Sequence, residues 1–233
     1  MTDTNFIIRN SCSIGTNQLE CLDLLSEEEY AYLQSKMVDV TYQKGEVICK
    51  QGSFISHIMV LREGLVKTYI EGQSENLVLQ IFSPVNVVGL SNLYEGNSVL
   101  QHSTQAYVES RLSLIEINAF RHLLRTNAVF ASKMISLMAE YSLTINGRFF
   151  CLTQKQTYGR LADLLLCLSN RVYKNYRFPL HLSRKEIAEL AGMSIESIAR
   201  IITKFKSDGL IEISCDQIIL LDPEKLEMIS KTG

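Results

Sequence analysis

The sequence predicts an α+β chain in two units: an N-terminal β jelly-roll, a long dimerisation helix, and a C-terminal winged helix-turn-helix. Three observations predict it. Short apolar runs with a two-residue period fill residues 38–117, helical periodicity takes over beyond Asn118, and two helix caps separated by a glycine sit at 183–194. The expected boundaries are 1–126 for the jelly-roll, 127–154 for the dimerisation helix, and 155–233 for the winged unit.

The chain has 233 residues, 46% of them hydrophobic and 21% charged, with three prolines, which suits two globular domains of roughly 100 to 200 residues each. No run of about 18 apolar residues occurs, and Met1-Thr2-Asp3-Thr4-Asn5 lacks the basic start of a secretion signal. The expected location is therefore the cytoplasm, with no membrane partner. Six scattered cysteines, Cys12, Cys21, Cys49, Cys151, Cys167 and Cys215, form no CxxC pair and read as free thiols.

Residues 18–36 read as a short helix, opened by Ser26-Glu27-Glu28-Glu29. Strand-like runs follow at Glu46–Cys49, Ile58–Leu61, Leu65–Ile70, Leu77–Phe82 and Leu112–Ile115. Lys44-Gly45, Gln51-Gly52, Glu63-Gly64, Glu71-Gly72 and Glu95-Gly96-Asn97 punctuate them at near-regular intervals. That pattern predicts a jelly-roll of about eight strands.

Phe130, Met134, Met138, Tyr141, Ile145 and Phe149 recur at intervals of three and four, the spacing of one stripe on a helix over about 127–152. A second copy of the same helix is the simplest cover for such a stripe, so the expected state is a homodimer seamed by these six residues; the alternative is that the stripe packs on its own sandwich. Tyr158–Tyr173 reads as a further apolar helix, broken by Asn175-Tyr176-Arg177-Phe178-Pro179.

The most specific pattern lies beyond it. Ser183-Arg184-Lys185-Glu186 is a capping box, in which the Ser hydroxyl accepts from the Glu N–H and the Glu carboxylate accepts from the Ser N–H. The helix it starts stops at Gly192, and Ser194 caps a second one whose inner face carries Ile198, Ile201, Ile202 and Phe205. Helix, glycine turn and helix make a helix-turn-helix, whose second helix enters a DNA major groove. Glu196 and Arg200, at i and i+4, share its outer face. A guanidinium there can donate twice to guanine and a carboxylate can accept from cytosine, with Ser197 beside them as a third base reader. Ser183, Arg184, Ser194 and Lys204 suit phosphate contacts that set the register. Residues 155–206 carry ten Lys and Arg against four Asp and Glu, a local excess of six on a chain whose net charge is -2. Gly209–Ile213 and Gln217–Leu221 read as a hairpin wing, and Asp222-Pro223 opens a last helix over 224–230.

With sandwich, seam helix and winged motif in this order, the chain resembles the Crp/Fnr superfamily of transcription factors over nearly its whole length. The most specific match runs from Leu182-Ser183-Arg184-Lys185-Glu186-Ile187-Ala188 through Gly192-Met193-Ser194-Ile195-Glu196-Ser197-Ile198-Ala199-Arg200. The resemblance implies double-stranded DNA and RNA polymerase as partners, a palindromic operator with TTGA-type half-sites read by Glu196 and Arg200, and a small-molecule effector in the sandwich.

Members that bind cyclic AMP carry a Gly-Glu pair and an Arg-Ser or Arg-Thr pair that clamps the cyclic phosphate. Here those positions hold Gly89-Leu90 and Leu100-Gln101, so the cation is missing and cyclic AMP is not the expected effector. The four residues remain the expected lining of an effector pocket. An iron-sulfur cluster of the fumarate and nitrate regulator kind needs four thiolates. Only Cys12 and Cys21 lie in the right region, and the internal ligand position holds Leu114, so no cluster is expected. His57, His102, His122 and His181 are isolated from one another, and no metal or catalytic motif accompanies them. The cofactor is thus unknown and no enzyme is expected. The competing reading is a ligand-binding or protein-interaction module that does not read DNA sequence.

Overall fold

A computed structural model describes residues 22–73, 76–214 and 216–232, so Cys12, Cys21 and Cys215 lie outside the described residues. Packing divides the chain into two compact units between Ser142 and Leu143, a break that falls inside the long helix.

The first unit opens with a 3-10 turn at Leu22–Leu24 and helix α1, Glu27–Gln34. Its capping box is made: Glu29 N–H donates to Ser26 Oγ at 3.3 Å and Ser26 N–H to Glu29 Oε2 at 2.9 Å. The described helix is shorter than the expected 18–36, because it cannot begin before its own cap.

Strands β1 (Met37–Tyr42), β2 (Val47–Cys49), β3 (His57–Glu63), β4 (Val66–Ile70), β5 (Leu77–Phe82), β6 (Asn86–Val88), β7 (Ser103–Ala106) and β8 (Ser110–Glu116) follow. Among the described residues they form two four-stranded sheets, in the orders β1-β8-β3-β6 and β2-β7-β4-β5, which interleave early and late strands as a jelly-roll does. Ile58 faces Ile115 and Leu61 faces Leu112 across the antiparallel β3–β8 pair, and all four are fully buried. Helix α2 (Ile117–Thr126) and the start of α3 (Ala128–Gln154) complete this core, with Phe120 and Phe130 edge to face at 5.4 Å. Asn127 caps α3, its Oδ1 accepting from Phe130 N–H at 2.9 Å.

Helix α3 corrects the expected seam. Phe130, Met134 and Tyr141 are buried in their own sandwich core together with Leu137, and Tyr141 donates to the Val87 carbonyl at 2.9 Å. They are therefore not available to a second chain. Met138, Ile145 and Phe149 are exposed, as are Ile135 and Leu143. The cause is angular. Each i+4 step overshoots a turn by about 40°, so Met138, Ile145 and Phe149 lie roughly 60–100° around the helix from Phe130 while Tyr141 returns to within about 20° of it. What reads as one stripe is two neighbouring ones, of which only the outer is free.

The second unit continues from the end of α3 into α4 (Thr157–Cys167), a π-helical stretch (Leu168–Tyr173), β9 (Arg177–Pro179), α5 (Arg184–Ala191), α6 (Ile195–Ser207), β10 (Ile211–Ser214), β11 (Gln217–Leu220) and α7 (Pro223–Thr232). The wing pairs β10 with β11 and adds β9 on its other side. Leu161, Leu164, Leu165 and Leu168 fill the interior as their period predicts. A buried polar cluster ties the unit's ends together: Lys155 Nζ lies 2.6 Å from Asp163 Oδ2 and 3.1 Å from Ser230 Oγ, and that hydroxyl also donates to Asp163 Oδ1. Lys155 and Asp163 belong to the basic stretch counted in the sequence, yet both are buried. Among the described residues no helix is long and apolar enough to cross a membrane.

Candidate nucleic-acid interface

The helix-turn-helix is set by local chemistry at three points. At the first, Ser183 Oγ accepts from Glu186 N–H at 3.2 Å and Glu186 Oε2 accepts from Ser183 N–H at 2.6 Å, starting α5. At the second, Gly192 takes φ 61° and ψ 48°, a left-handed geometry that stops α5; a Cβ there would lie 2.7 Å from Leu152 Cδ2. Arg160 holds this turn from the side, its Nη1 donating to the Gly192 carbonyl at 3.0 Å and its Nε to the Lys155 carbonyl at 2.9 Å. Nothing in the local sequence around Arg160 signals that role. At the third, Ser194 Oγ accepts from Ser197 N–H at 3.2 Å and starts α6.

Ile198, Ile201, Ile202 and Phe205 bury the inner face of α6, which fixes what its other face presents. Glu196, Arg200 and Lys204 are exposed there, and Ser197 is half-buried. Glu196 is held at the helix start: hydrogen bonds from its own backbone N–H and from Ser194 keep its carboxyl below the usual range. Among the described residues no ion pair engages Arg200, four residues on, an exposed side chain whose guanidinium carries five N–H donors. Lys204 differs, because its ammonium lies 2.8 Å from Asp208 Oδ1. That hydrogen bond raises the Lys204 pKa and lowers that of Asp208. Ser183, Arg184 and Ser194 are exposed on the same unit, Ser183 and Ser194 at the starts of α5 and α6 where backbone N–H groups favour an anion.

Two family models match the chain, a cyclic nucleotide-binding domain over residues 39–127 and a Crp-like helix-turn-helix domain over residues 159–229. The chain belongs to the Crp/Fnr superfamily. It is a Crp/Fnr-type transcription regulator with a helix-turn-helix DNA-binding domain, in a family of regulators rather than enzymes. Among similar curated proteins, Electron transport regulator A of Shewanella oneidensis is 25% identical over 95% of this chain and 89% of its own. Transcriptional activator protein FnrA of Stutzerimonas stutzeri is 27% identical over 77% of this chain and 75% of its own. The solved structure of FixK2 from Bradyrhizobium japonicum is similar in fold, with a TM-score of 0.76 at 18% identity over 83% of this chain and 96% of that one. A CooA variant from Carboxydothermus hydrogenoformans gives 0.73 at 20% identity over 92% and 96%.

In this Crp/Fnr regulator the jelly-roll holds a cavity of about 370 Å³, within the size range of small-molecule sites. Of the four residues expected to line an effector pocket, Leu100 does so. Gly89, Leu90 and Gln101 do not: Leu90 packs into the hydrophobic core and Gln101 is exposed, its Nε2 donating to the Val99 carbonyl at 3.2 Å. Gly89 stands behind the wall. Its φ is 90°, and a Cβ on it would lie 2.8 Å from Nδ2 of Asn92, which does line the cavity. Apart from Leu100 the lining is missed by sequence reasoning, with Cys49, Lys50, Ser53, His57 and Asn92 among its polar members. A cyclic phosphate does not fit the expected clamp, since Leu100 is apolar and Gln101 faces solvent. Among the described residues no group of three or more His, Cys, Asp or Glu side chains is arranged to hold a metal ion.

Proposed function

We propose that this regulator reads a palindromic operator as a homodimer, with Arg200, Glu196 and Ser197 on base edges and Ser183, Arg184, Ser194 and Lys204 on phosphates. The observation that carries the reading is the contrast within α6: its inner face is fully occupied by core packing, while Arg200 on the outer face has no ion-pair partner among the described residues to give up. A guanidinium so placed can meet guanine O6 and N7 together, with Glu196 one turn earlier and already ionised. Lys204 exchanges Asp208 for a phosphate, which suits a contact that positions without reading sequence.

The outer stripe of α3 supports the dimer. Ile135, Met138, Ser142, Ile145 and Phe149 follow one another at three- and four-residue steps, all exposed, which is the heptad spacing of a helix that pairs with its own copy. Two copies place two recognition helices on half-sites about 34 Å apart. RNA polymerase is the further partner, and an effector bound in the jelly-roll biases the two-helix arrangement.

Fluorescence anisotropy on an operator selected from random duplexes tests the base-reading role. Arg200→Ala removes roughly 1 to 3 kcal/mol of discrimination at one base pair of each half-site, whereas Lys204→Ala weakens specific and random DNA alike and lowers the salt slope by about one. Equal losses on specific and random DNA for Arg200→Ala would exclude it as a base reader. Binding that ignores ionic strength would favour a protein-interaction role for the winged unit instead.

A further inference from the structure

Neither α3 nor α5 carries a Lys or Arg in its last turn. The last carbonyls of a helix lack intrahelical partners and lie at the negative end of its dipole, where a cation is stabilising. Lys155 follows α3 directly, but its ammonium is held by Asp163. Arg160, on α4, supplies one cation to both helix ends. Its Nε donates at 2.9 Å to the carbonyl of Lys155, just beyond α3, and its Nη1 donates at 3.0 Å to the carbonyl of Gly192, the C-cap of α5. Among the described residues no ion pair engages Arg160, so its guanidinium is directed at those two carbonyls.

The end of α3 is thereby fastened to the corner of the helix-turn-helix. Lys155 is gripped at both ends, its ammonium by Asp163 and Ser230 and its carbonyl by Arg160. Helices α5 and α6 keep their mutual geometry by other means, since each is capped by its own serine and together they bury Ile187, Leu190, Ile198 and Ile201. What Arg160 adds is the angle between that helix pair and α3. Phe149, on the exposed stripe of α3, stands six residues before Lys155, about 9 Å along the helix axis. The route from the stripe where two copies pair to the start of α6 is therefore short, and Arg160 closes it.

We propose that Arg160 is a positioning residue for operator recognition: it sets the direction in which each reading helix leaves the paired α3 helices, and so the half-site spacing that the dimer accepts. This rests on the homodimer reading. Arg160 itself touches no base. The role needs a guanidinium, because two carbonyls on separate helices call for two N–H groups at a fixed separation, which the compact ammonium of lysine does not reproduce.

Fluorescence anisotropy on the full chain tests the proposal with three duplexes at one ionic strength: the selected operator, the same operator with one base pair inserted between its half-sites, and a single half-site. The insertion displaces one half-site by about 3.4 Å and turns it by about 35°. The parent binds the native spacing at least about tenfold more tightly than the inserted one. Arg160→Lys and Arg160→Met each reduce that preference to about threefold or less and weaken the native operator about tenfold, while half-site affinity stays within about twofold of the parent. The salt slope is unchanged in both variants. A spacing preference that survives in both overturns the proposal, and so does an equal loss on half-site and full operator, which is what a weakened fold alone produces. Parent-like behaviour of Arg160→Lys, with a salt slope lowered by about one in Arg160→Met, overturns it in favour of a phosphate contact. A parent indifferent to the inserted base pair sinks the homodimer reading and the proposal together; a parent that discriminates alongside variants that also do sinks the proposal alone.

Discussion

Replacing Asp163 by Ala should unfold the winged unit more readily than any other single change on its interior polar groups. In the native unit the Asp163 carboxylate, 1% exposed, faces the Lys155 ammonium at 2.6 Å and accepts from the Ser230 hydroxyl. Alanine leaves an ammonium in the interior without its counter-charge, which costs about 3 to 5 kcal/mol, and removes the acceptor of Ser230, worth about 1 kcal/mol more. In a unit of this size each kcal/mol moves the melting temperature by roughly 4 °C or more, so the transition should fall by at least about 12 °C. Differential scanning calorimetry of the full chain reads this directly. The reasoning has a second arm. The double replacement Lys155→Met with Asp163→Leu removes both charges and fills the space, and should recover most of the loss or exceed the parent, since a buried pair repays its desolvation poorly. A drop below about 1 kcal/mol for Asp163→Ala, or a double variant no more stable than the single one, would show that the Lys155–Asp163 attraction does not hold the cluster together.

Three further outcomes follow from the same structure. Gly192→Ala should cost about 1 to 2 kcal/mol in chemical denaturation, because it combines a left-handed φ with a Cβ 2.7 Å from Leu152, and it should lower DNA affinity by misaligning α5 and α6. On α3 the two stripes should separate cleanly: Phe130→Ala costs roughly 3 to 5 kcal/mol of stability, whereas Ile145→Glu leaves the fold intact and turns dimer into monomer in sedimentation velocity. Tyr173, stacked on Phe178 at 5.1 Å, has its phenol pushed up to about 12 by burial. Below about pH 10 it is neutral folded or unfolded; above that only the unfolded state ionises freely, so stability falls as the pH rises from about 10 towards 12. Tyr173→Phe should flatten that slope in pH-dependent urea melts.

What the sequence reveals here depends on how local the physics is. Ser183 with Glu186, and Ser194 with Ser197, are interactions across three residues, and both are legible from residue type alone because a helix start needs little else. The same holds for Gly192. Strand β7, Ser103–Ala106, shows no apolar alternation; it is a strand because β2 and β4 pair with it from either side, a long-range fact. Strand β9 is three residues ending in Pro179 and exists only through its register with β11. The seam of α3 fails for a different reason, since spacing shows that residues are apolar but not which of two adjacent stripes the sandwich takes. The cavity fails most completely. Asn92, Lys50 and Leu114 come from distant parts of the chain and meet only once the strands are in order, whereas the four residues expected there were placed by alignment with a motif whose charges are gone.

The hydrogen bond from Tyr141 to the Val87 carbonyl has a mechanical meaning. Together with Phe130, Met134 and Leu137 it keys one edge of the long helix into the sandwich, as a spline keys a shaft into a hub. A rod keyed in this way cannot spin on its axis without first stripping that edge from the core. The azimuth at which Met138 meets the outside is therefore dictated by the core into which Phe130, Met134, Leu137 and Tyr141 are set.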